Sequence, residues 1–94
     1  MMELDCGRFA NVDCREMLVF VVVYHERGVS KAAKKLGLGQ PAVSNTLAKL
    51  RVRFSDPLFL RPGFMPTPKA SQIAEVVMPM LVQVQMAFGA IEKL

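Results

Sequence analysis

Residues 30–44 decide the fold, and they read Ser-Lys-Ala-Ala-Lys-Lys-Leu-Gly-Leu-Gly-Gln-Pro-Ala-Val-Ser. Ser30 is a good N-cap for a short helix that runs to about Leu36. Gly37 fits a turn that needs a positive φ, which is cheap only for glycine. Pro41 is preset for the first turn of the helix that follows. Two helices joined by a glycine turn are the layout of a helix-turn-helix motif.

The apolar residues of this stretch suit the packing that the motif requires. Ala33 lies where the two helices cross closely, so a side chain larger than methyl would push them apart. The second helix of the motif has a buried stripe at spacings of four, three and four, and it must end before Pro57. The contacts that fix the interhelix angle are Leu36, Leu38, Val43 and Leu47, and the stripe continues through Leu50 and Phe54.

Upstream, residues 1–12 show no clear period and are expected to be an extended lead-in. Asp13 is a plausible N-cap and Gly28 a plausible end of the first long helix. Residues 18–24 are rich in β-branched side chains and could also form a buried strand. A helical period of apolar residues and a length of about 13 residues favour the helix; that period comprises Met17, Phe20, Val21 and Tyr24.

Downstream, the sequence predicts a short hairpin and then a long helix. Residues 58–60 are predicted to be one strand, residues 61–63 have turn chemistry, and residues 64–65 can return as a second strand. Thr67 is a good N-cap with Pro68 in the first helical position. From there a helix of roughly 40 Å can run to the C-terminus. The predicted fold is mainly α, a winged helix-turn-helix of three helices and a two-stranded wing followed by a long helix.

The last helix carries a heptad seam, which predicts pairing with the same helix of a second chain. The seam would also fit a helix that packs back on its own domain or one that lies on a membrane surface, but its polar face has too few cations for the latter. Pro79 predicts a kink near residues 76–80. The seam comprises Ile73, Val77, Met80, Val84, Ala87, Ile91 and Leu94, and Leu81 and Phe88 widen it.

Charge is concentrated in the middle of this 94-residue chain, whose net charge is +4. Residues 27–69 carry a net charge of +8, whereas residues 1–26 carry −3 and residues 70–94 carry −1. A basic segment between apolar flanks predicts one face for a polyanion. The basic residues could also be a merely solvated face, but the helix-turn-helix beside them favours the polyanion.

Other functional classes lack their characteristic residues. Cys6 and Cys14 have no partner that would complete a metal site, so no metal or other cofactor is expected. No nucleophile–base pair or phosphate loop is present, so an enzyme is not expected. The longest uncharged stretch, residues 76–91, is shorter than a membrane span, and no signal peptide is visible. We therefore expect no membrane partner and a cytoplasmic location.

The exposed face of the third predicted helix supplies candidate DNA contacts. The amides of Gln40 and Asn45 suit adenine, and Pro41 and Ala42 suit thymine methyl groups. The polar and basic residues further along suit phosphates, as does the arginine of the predicted wing. Those residues are Ser44, Lys49, Arg51, Arg53 and Arg61, and Ser30, Lys31 and Gly63 complete the predicted DNA-binding set.

The same segments resemble the LysR-type transcriptional regulators. Residues 30–44 resemble the helix-turn-helix core of that family, residues 56–61 (Asp-Pro-Leu-Phe-Leu-Arg) its wing strand, and residues 67–70 (Thr-Pro-Lys-Ala) the start of its linker helix. Gly39 departs from the family, which usually has Ser or Thr there, and Arg51 stands where many members have Glu. The resemblance implies a bacterial transcription factor that binds DNA as a dimer through antiparallel linker helices.

That resemblance also implies a division of the chain. Residues 1–66 would form the DNA-binding domain, with the helix-turn-helix at about 29–48 and the wing at about 57–66, and residues 67–94 the dimerisation helix. Family members are longer and carry an effector-binding domain, to which nothing here corresponds, so no small-molecule site is expected in this chain. A tetramer is possible in a full-length member of the family. The expected function is sequence-specific binding of an interrupted palindrome in double-stranded DNA. The alternative is a protein-interaction module whose basic patch serves solubility.

Overall fold

Five helices and a two-stranded wing follow one another along residues 3–94, the part of the chain that this computed structural model describes. The mainly helical winged helix-turn-helix architecture predicted from the sequence is confirmed, with one helix more than expected. The elements are α1 (Cys6–Asn11), α2 (Cys14–Glu26), α3 (Val29–Leu36), α4 (Gln40–Phe54), β1 (Phe59–Leu60), β2 (Met65–Pro66) and α5 (Pro68–Glu92).

Helix α1 is the addition. The extended lead-in expected over residues 1–12 is wrong for residues 6–11, while residues 1–2 lie outside the described part. Asp5 caps this helix, because its Oδ1 accepts a hydrogen bond from the Gly7 N–H at 3.1 Å and its Oδ2 pairs with Arg8 Nε at 3.2 Å. None of its residues is buried. Because α1 buries no residue, its sequence has no periodic apolar pattern from which a helix could be predicted.

Helix α2 is the centre of the domain. A capping box begins it: Asp13 Oδ1 accepts from the Glu16 N–H at 2.8 Å, and Glu16 Oε1 accepts from the Asp13 N–H at 3.0 Å. The helix confirms the predicted period and excludes the strand alternative. Phe20 and Val23 are completely buried, and α2 packs against α3, α4 and α5. Arg27 ends the helix in a left-handed conformation, one residue before the predicted end.

Helices α3 and α4 form the predicted motif. Gly37 has φ 69°, and its N–H donates to the carbonyls at the end of α3. Ala33 is buried at the crossing, and α4 buries Val43, Leu47 and Leu50. The prediction that Ser30 caps α3 is wrong. The helix begins earlier, with Gly28 as its N-cap.

The wing is a shorter hairpin than predicted. Its antiparallel register pairs Phe59 with Pro66 and Leu60 with Met65, so each strand begins one residue later than expected. Leu58 is buried but has φ 65°, a left-handed conformation that is rare for a bulky residue, and it therefore lies outside β1. Its side chain joins the core while its backbone turns the chain into the wing.

A hydrogen-bonded junction holds the wing against the start of α5. Asp56 Oδ2 accepts from the Thr67 hydroxyl at 2.6 Å and from the Leu58 N–H at 2.9 Å. The Thr67 Oγ1 in turn accepts from the Ala70 N–H, which confirms Thr67 as the N-cap of α5. Lys69 Nζ donates to the Phe54 carbonyl at 2.6 Å, which ties α5 to the end of α4. The bonds from Thr67 and Leu58, helped by the nearby Lys69 charge, lower the pKa of Asp56 below 3.8.

Helix α5 packs its first three turns on its own domain. Ala70, Ala74 and Val77 are buried there. Part of the predicted dimerisation seam is therefore covered within the chain, and Val77 is unavailable to a partner. The other seam residues that pack against the domain core while staying partly exposed are Ile73, Met80 and Leu81.

Beyond these turns α5 is largely exposed. Phe88 and Ile91 are 62% and 59% exposed, and the helix continues without interruption through Pro79. By length and composition alone α5 could cross a membrane, since an 18-residue window has a mean hydropathy of 1.5 and only 11% of it is buried.

The junction generates a stability prediction. Thr67→Val should lower the unfolding free energy by about 1–2 kcal/mol, because it removes a helix cap and a hydroxyl donor to Asp56. Thr46→Val, the same chemical change on half-buried Thr46, should stay within about 0.5 kcal/mol. Thermal and urea unfolding measure both variants. Equal effects of the two substitutions would contradict the role of the junction.

The junction also predicts a pH dependence. Because folding lowers the pKa of Asp56, its ionisation stabilises the fold at pH values above 3.8, and this contribution is lost as the pH falls through the lower folded value. The stability difference between the parent chain and Thr67→Val should therefore narrow below about pH 4. A difference that is constant from pH 7 to pH 2.5 would show that the Thr67–Asp56 bond does not act on the carboxylate.

Candidate nucleic-acid interface

The N-terminal half of α4 projects from the domain. Its inner side is held by Val43 and Leu47, so the residues between and before them face outward. No side chain caps the N-terminus at Gly39. The exposed residues of the helix are Gln40, Pro41, Ala42, Ser44, Asn45, Ala48, Lys49, Val52 and Arg53. The structure thus brings the predicted base-reading residues together on one accessible surface, which we call the α4 face.

The two amides of the α4 face have different surroundings. Gln40 Nε2 donates to Ser30 Oγ at 3.2 Å, a bond that links the two helices of the motif. The Gln40 oxygen keeps its acceptor capacity, but a two-point contact with adenine would require this bond to break. Asn45 forms no side-chain hydrogen bond within residues 3–94 and keeps both its donor and its acceptor. Asn45 is therefore the better candidate for reading a base pair.

Two of the predicted phosphate-binding residues have partners inside the domain. Lys49 Nζ lies 2.6 Å from Glu16 Oε2, so its charge is partly neutralised. Arg51 Nε donates to the Pro57 carbonyl at 3.0 Å and braces the chain where α4 leads into the wing. The spacing of residues on α4 gave no sign of these long-range partners. Arg53 and Lys31 are exposed without such a bond in the described part of the chain.

The wing places Arg61 and Gly63 at an exposed tip. Gly63 has φ 83°, which a side chain would strain. Below the tip, the rings of Phe59 and Phe64 stack with their centroids 4.9 Å apart, and Phe59 also packs 5.7 Å from Phe20. The base of the wing therefore packs against the domain core, and Arg61 at the tip is exposed to solvent.

Sequence reasoning overlooked Arg27. This residue ends α2 with φ 55° and ψ 42°, and its Nη1 lies 3.2 Å from Met65 Sδ on the wing. Its guanidinium therefore lies beside the hairpin, although 34 residues separate Arg27 from Arg61 in the sequence. The only local signal was an arginine directly before Gly28, where a helix was predicted to end.

Three carboxylates near this surface have partners inside the domain. Glu16 pairs with Lys49, Glu26 Oε2 lies 3.5 Å from Lys35 Nζ, and Asp56 points into the junction. Lys31, Arg53 and Arg61 have no carboxylate partner within residues 3–94, and their charges favour a polyanion. Among residues 3–94, no three His, Cys, Asp or Glu side chains come together as a metal site would require.

Comparisons with known proteins agree with this geometry. The family described as bacterial regulatory helix-turn-helix protein, lysR family, matches residues 14–71. The HTH-type transcriptional activator NagR of Ralstonia sp is 46% identical over 79 residues, which cover 82% of this chain and 26% of NagR. The chain spans about a quarter of the length of the curated relatives it matches.

Solved structures share the fold. The probable transcriptional regulator PA0477 from Pseudomonas aeruginosa superposes with a TM-score of 0.78 at 32% identity, over 86% of this chain and 28% of that one. The BenM DNA-binding domain, in complex with benA site 1 DNA, gives 0.77 at 24% identity, over 87% and 94% of the two chains. This chain therefore belongs to the LysR family of bacterial transcriptional regulators and contains the winged helix-turn-helix DNA-binding domain of that family.

The last turn of α4 contains two arginines with different contacts: Arg51 bonds to the Pro57 carbonyl, whereas Arg53 is exposed. Arg51→Ala should lower the unfolding free energy by about 1 kcal/mol, because the Pro57 carbonyl loses its donor. Arg53→Ala, its matched control in the same turn, should change it by less than about 0.5 kcal/mol. Chemical denaturation of both variants measures the difference. If Arg53→Ala is as destabilising as Arg51→Ala, the bracing role of Arg51 is wrong.

Proposed function

We propose that this chain binds double-stranded DNA in a sequence-specific manner, as a dimer on an interrupted palindrome, and thereby regulates transcription. The observation that carries the proposal is the α4 face, an exposed helix surface of amide and small apolar side chains beside an arginine-tipped wing. A helix of 15 residues is about 22 Å long, and the major groove is wide enough to admit it.

The chemistry of the α4 face fits base reading. Asn45 can donate to and accept from adenine in the major groove, and Pro41 and Ala42 can contact thymine methyl groups. Gln40 supplies an acceptor while its nitrogen stays on Ser30. Base contacts near the N-terminus of the second motif helix are the usual docking geometry of a helix-turn-helix.

The basic side chains around the α4 face fit the DNA backbone. Lys31, Arg53 and Arg61 are exposed and come from three different elements. Phosphate contacts of this kind orient a protein on the duplex without selecting a sequence. Ser44 can donate to a phosphate in the same way, and the absence of a side chain at Gly63 lets the wing tip approach the DNA backbone closely.

Dimerisation through residues 67–94 fits the exposed part of α5, which the rest of the domain does not cover. An apolar groove lies between α2 and α5, and exposed Leu18 forms part of its wall with Val82 and Phe88. With the first turns covered by their own domain, the partner contact is centred on the far half of the helix: Val84, Ala87, Phe88 and Ile91. A dimer makes binding of the second half-site effectively intramolecular, which raises affinity for a palindrome.

A second chain suits α5 better than a bilayer does. Because the helix is anchored in its domain through Val77, only about 15 residues, or about 22 Å, remain beyond it, whereas a membrane span needs about 20 residues. A cytoplasmic location follows from this proposal. The alternative of a protein-interaction module explains the apolar α5 but gives no role to the α4 face.

Base reading by Asn45 is tested by its dependence on sequence. After selection of a preferred site from random duplexes, Asn45→Ala should cost about 1–3 kcal/mol on that site and little on a random duplex. Ser44→Ala, the neighbouring control, should weaken both duplexes to a similar extent because it contacts phosphate. Titrations by fluorescence anisotropy measure all four affinities. Equal losses on both duplexes for Asn45→Ala would contradict base reading.

Pairing through α5 is tested with a charge in its exposed half. Phe88→Asp should produce monomers and abolish tight palindrome binding, because an unpaired carboxylate would be buried in the interface. Leu4→Asp, at a residue near the N-terminus that is 78% exposed, should leave the dimer intact. Sedimentation and half-site titrations measure assembly and residual DNA binding. A parent chain that is monomeric even on DNA, or a dimeric Phe88→Asp variant, would overturn this interface.

A further inference from the structure

A cleft of about 650 Å³ separates the turn after α2 from the wing. Arg27 and Gly28 line one side, and residues 61–64 line the other. The two arginines of the cleft thus approach it from different elements, and no acidic residue lines it. A cleft with a guanidinium on each side has the donors that suit a single anionic oxygen group.

The backbone at Arg27 is unusual for its residue type. Helix ends of this geometry normally carry glycine or asparagine, because a β-carbon is unfavourable in the left-handed region. An arginine there is therefore less stable than glycine would be. A strained residue beside an open, positively charged cleft points to a functional role.

The carbonyl and carboxylate oxygens near Arg27 already have hydrogen-bond or ion-pair partners. The carbonyls of Val23 and Tyr24 at the end of α2 accept from the N–H and the Nε of Arg27. Glu26 is engaged by Lys35. The guanidinium of Arg27, whose Nη1 contacts Met65 Sδ, thus has no competing carboxylate among the residues that line the cleft. The first turn of α3 begins beside it with neither a side-chain cap nor an acidic residue, which adds to the positive potential.

We propose that this cleft binds one phosphodiester group of the DNA backbone between Arg27 and Arg61. This inference rests on the proposed function and adds a contact from the end of α2 to those of α4 and the wing. It places the wing arginine and Arg27 on the same phosphate, so that the hairpin is fixed against the duplex as well as against the core. The weak contact of Arg27 with Met65 positions the guanidinium in the absence of DNA.

Arg27→Gly is the decisive variant, because glycine should preserve or raise the thermal stability while it removes the charge. We expect this variant to weaken binding to every duplex and to reduce the slope of log K against log salt by about 0.9 for each bound chain. Arg27→Lys should retain most of the slope. Lys93→Ala, which removes one charge at the far end of the chain, should leave the slope unchanged.

Phosphate ethylation interference identifies the contact directly. The parent chain should show one interfering phosphate per half-site that disappears with Arg27→Gly and also with Arg61→Ala. If Arg27→Gly weakens binding at an unchanged slope and with the same interfering phosphates, Arg27 only positions the wing through Met65 and the inference is wrong. If the parent chain binds no duplex at all, the proposed function itself fails.

Discussion

The burial of α2 is the constraint on which the rest of the structure depends. Phe20 and Val23 are fully covered, α3, α4 and α5 pack against the helix, and Phe59 of the wing contacts Phe20. Each large apolar side chain buried here contributes about 1.5–3 kcal/mol. Because α4 buries Val43, Leu47 and Leu50 in the core, most of its remaining surface faces solvent. The α4 face is thus a consequence of how the core is filled.

The junction at Asp56 connects the two surfaces that the proposed function requires. Thr67 caps α5 and donates a hydrogen bond to the Asp56 carboxylate, which also accepts from the Leu58 N–H. Lys69 donates to the Phe54 carbonyl at the end of α4. These bonds join the start of the wing, the end of α4 and the first turn of α5. If two chains pair through their α5 helices, the separation of their α4 faces depends on this junction and on how the two helices pair. The same two features would set the spacing of half-sites in a palindrome.

Local rules predicted most of the fold. Asp13, Gly37 and Thr67 act through neighbours within five residues, so their roles as caps and turn could be recognised from the sequence. The N-cap of α3 could not be recognised in this way, because Gly28 and Ser30 are both acceptable N-cap residues. The hydrogen bond that engages Ser30 comes from Gln40, ten residues further along the chain. Leu58 looked like a strand residue, since its apolar character does not reveal the backbone turn imposed by Asp56.

The candidate site was predictable in its position and less so in its details. The exposed side of α4 follows from helical periodicity, whereas the partners of Lys49 and Arg51 depend on which other elements pack nearby. The seam on α5 has the same period whether its own domain or a second chain covers it. For this reason the sequence predicted an apolar helix correctly, but it assigned Val77 to a partner when this residue lies in the chain's own core.

The most direct test of base reading by α4 is a titration of the isotope-labelled chain with its selected duplex, followed through backbone amide resonances. The largest shifts are expected at residues 40–45 and at the wing tip, while the buried turns of α5 at residues 70–77 keep their positions. Large shifts confined to the groove between α2 and α5, with residues 40–45 unchanged, would show that DNA does not bind at α4 and would contradict the account.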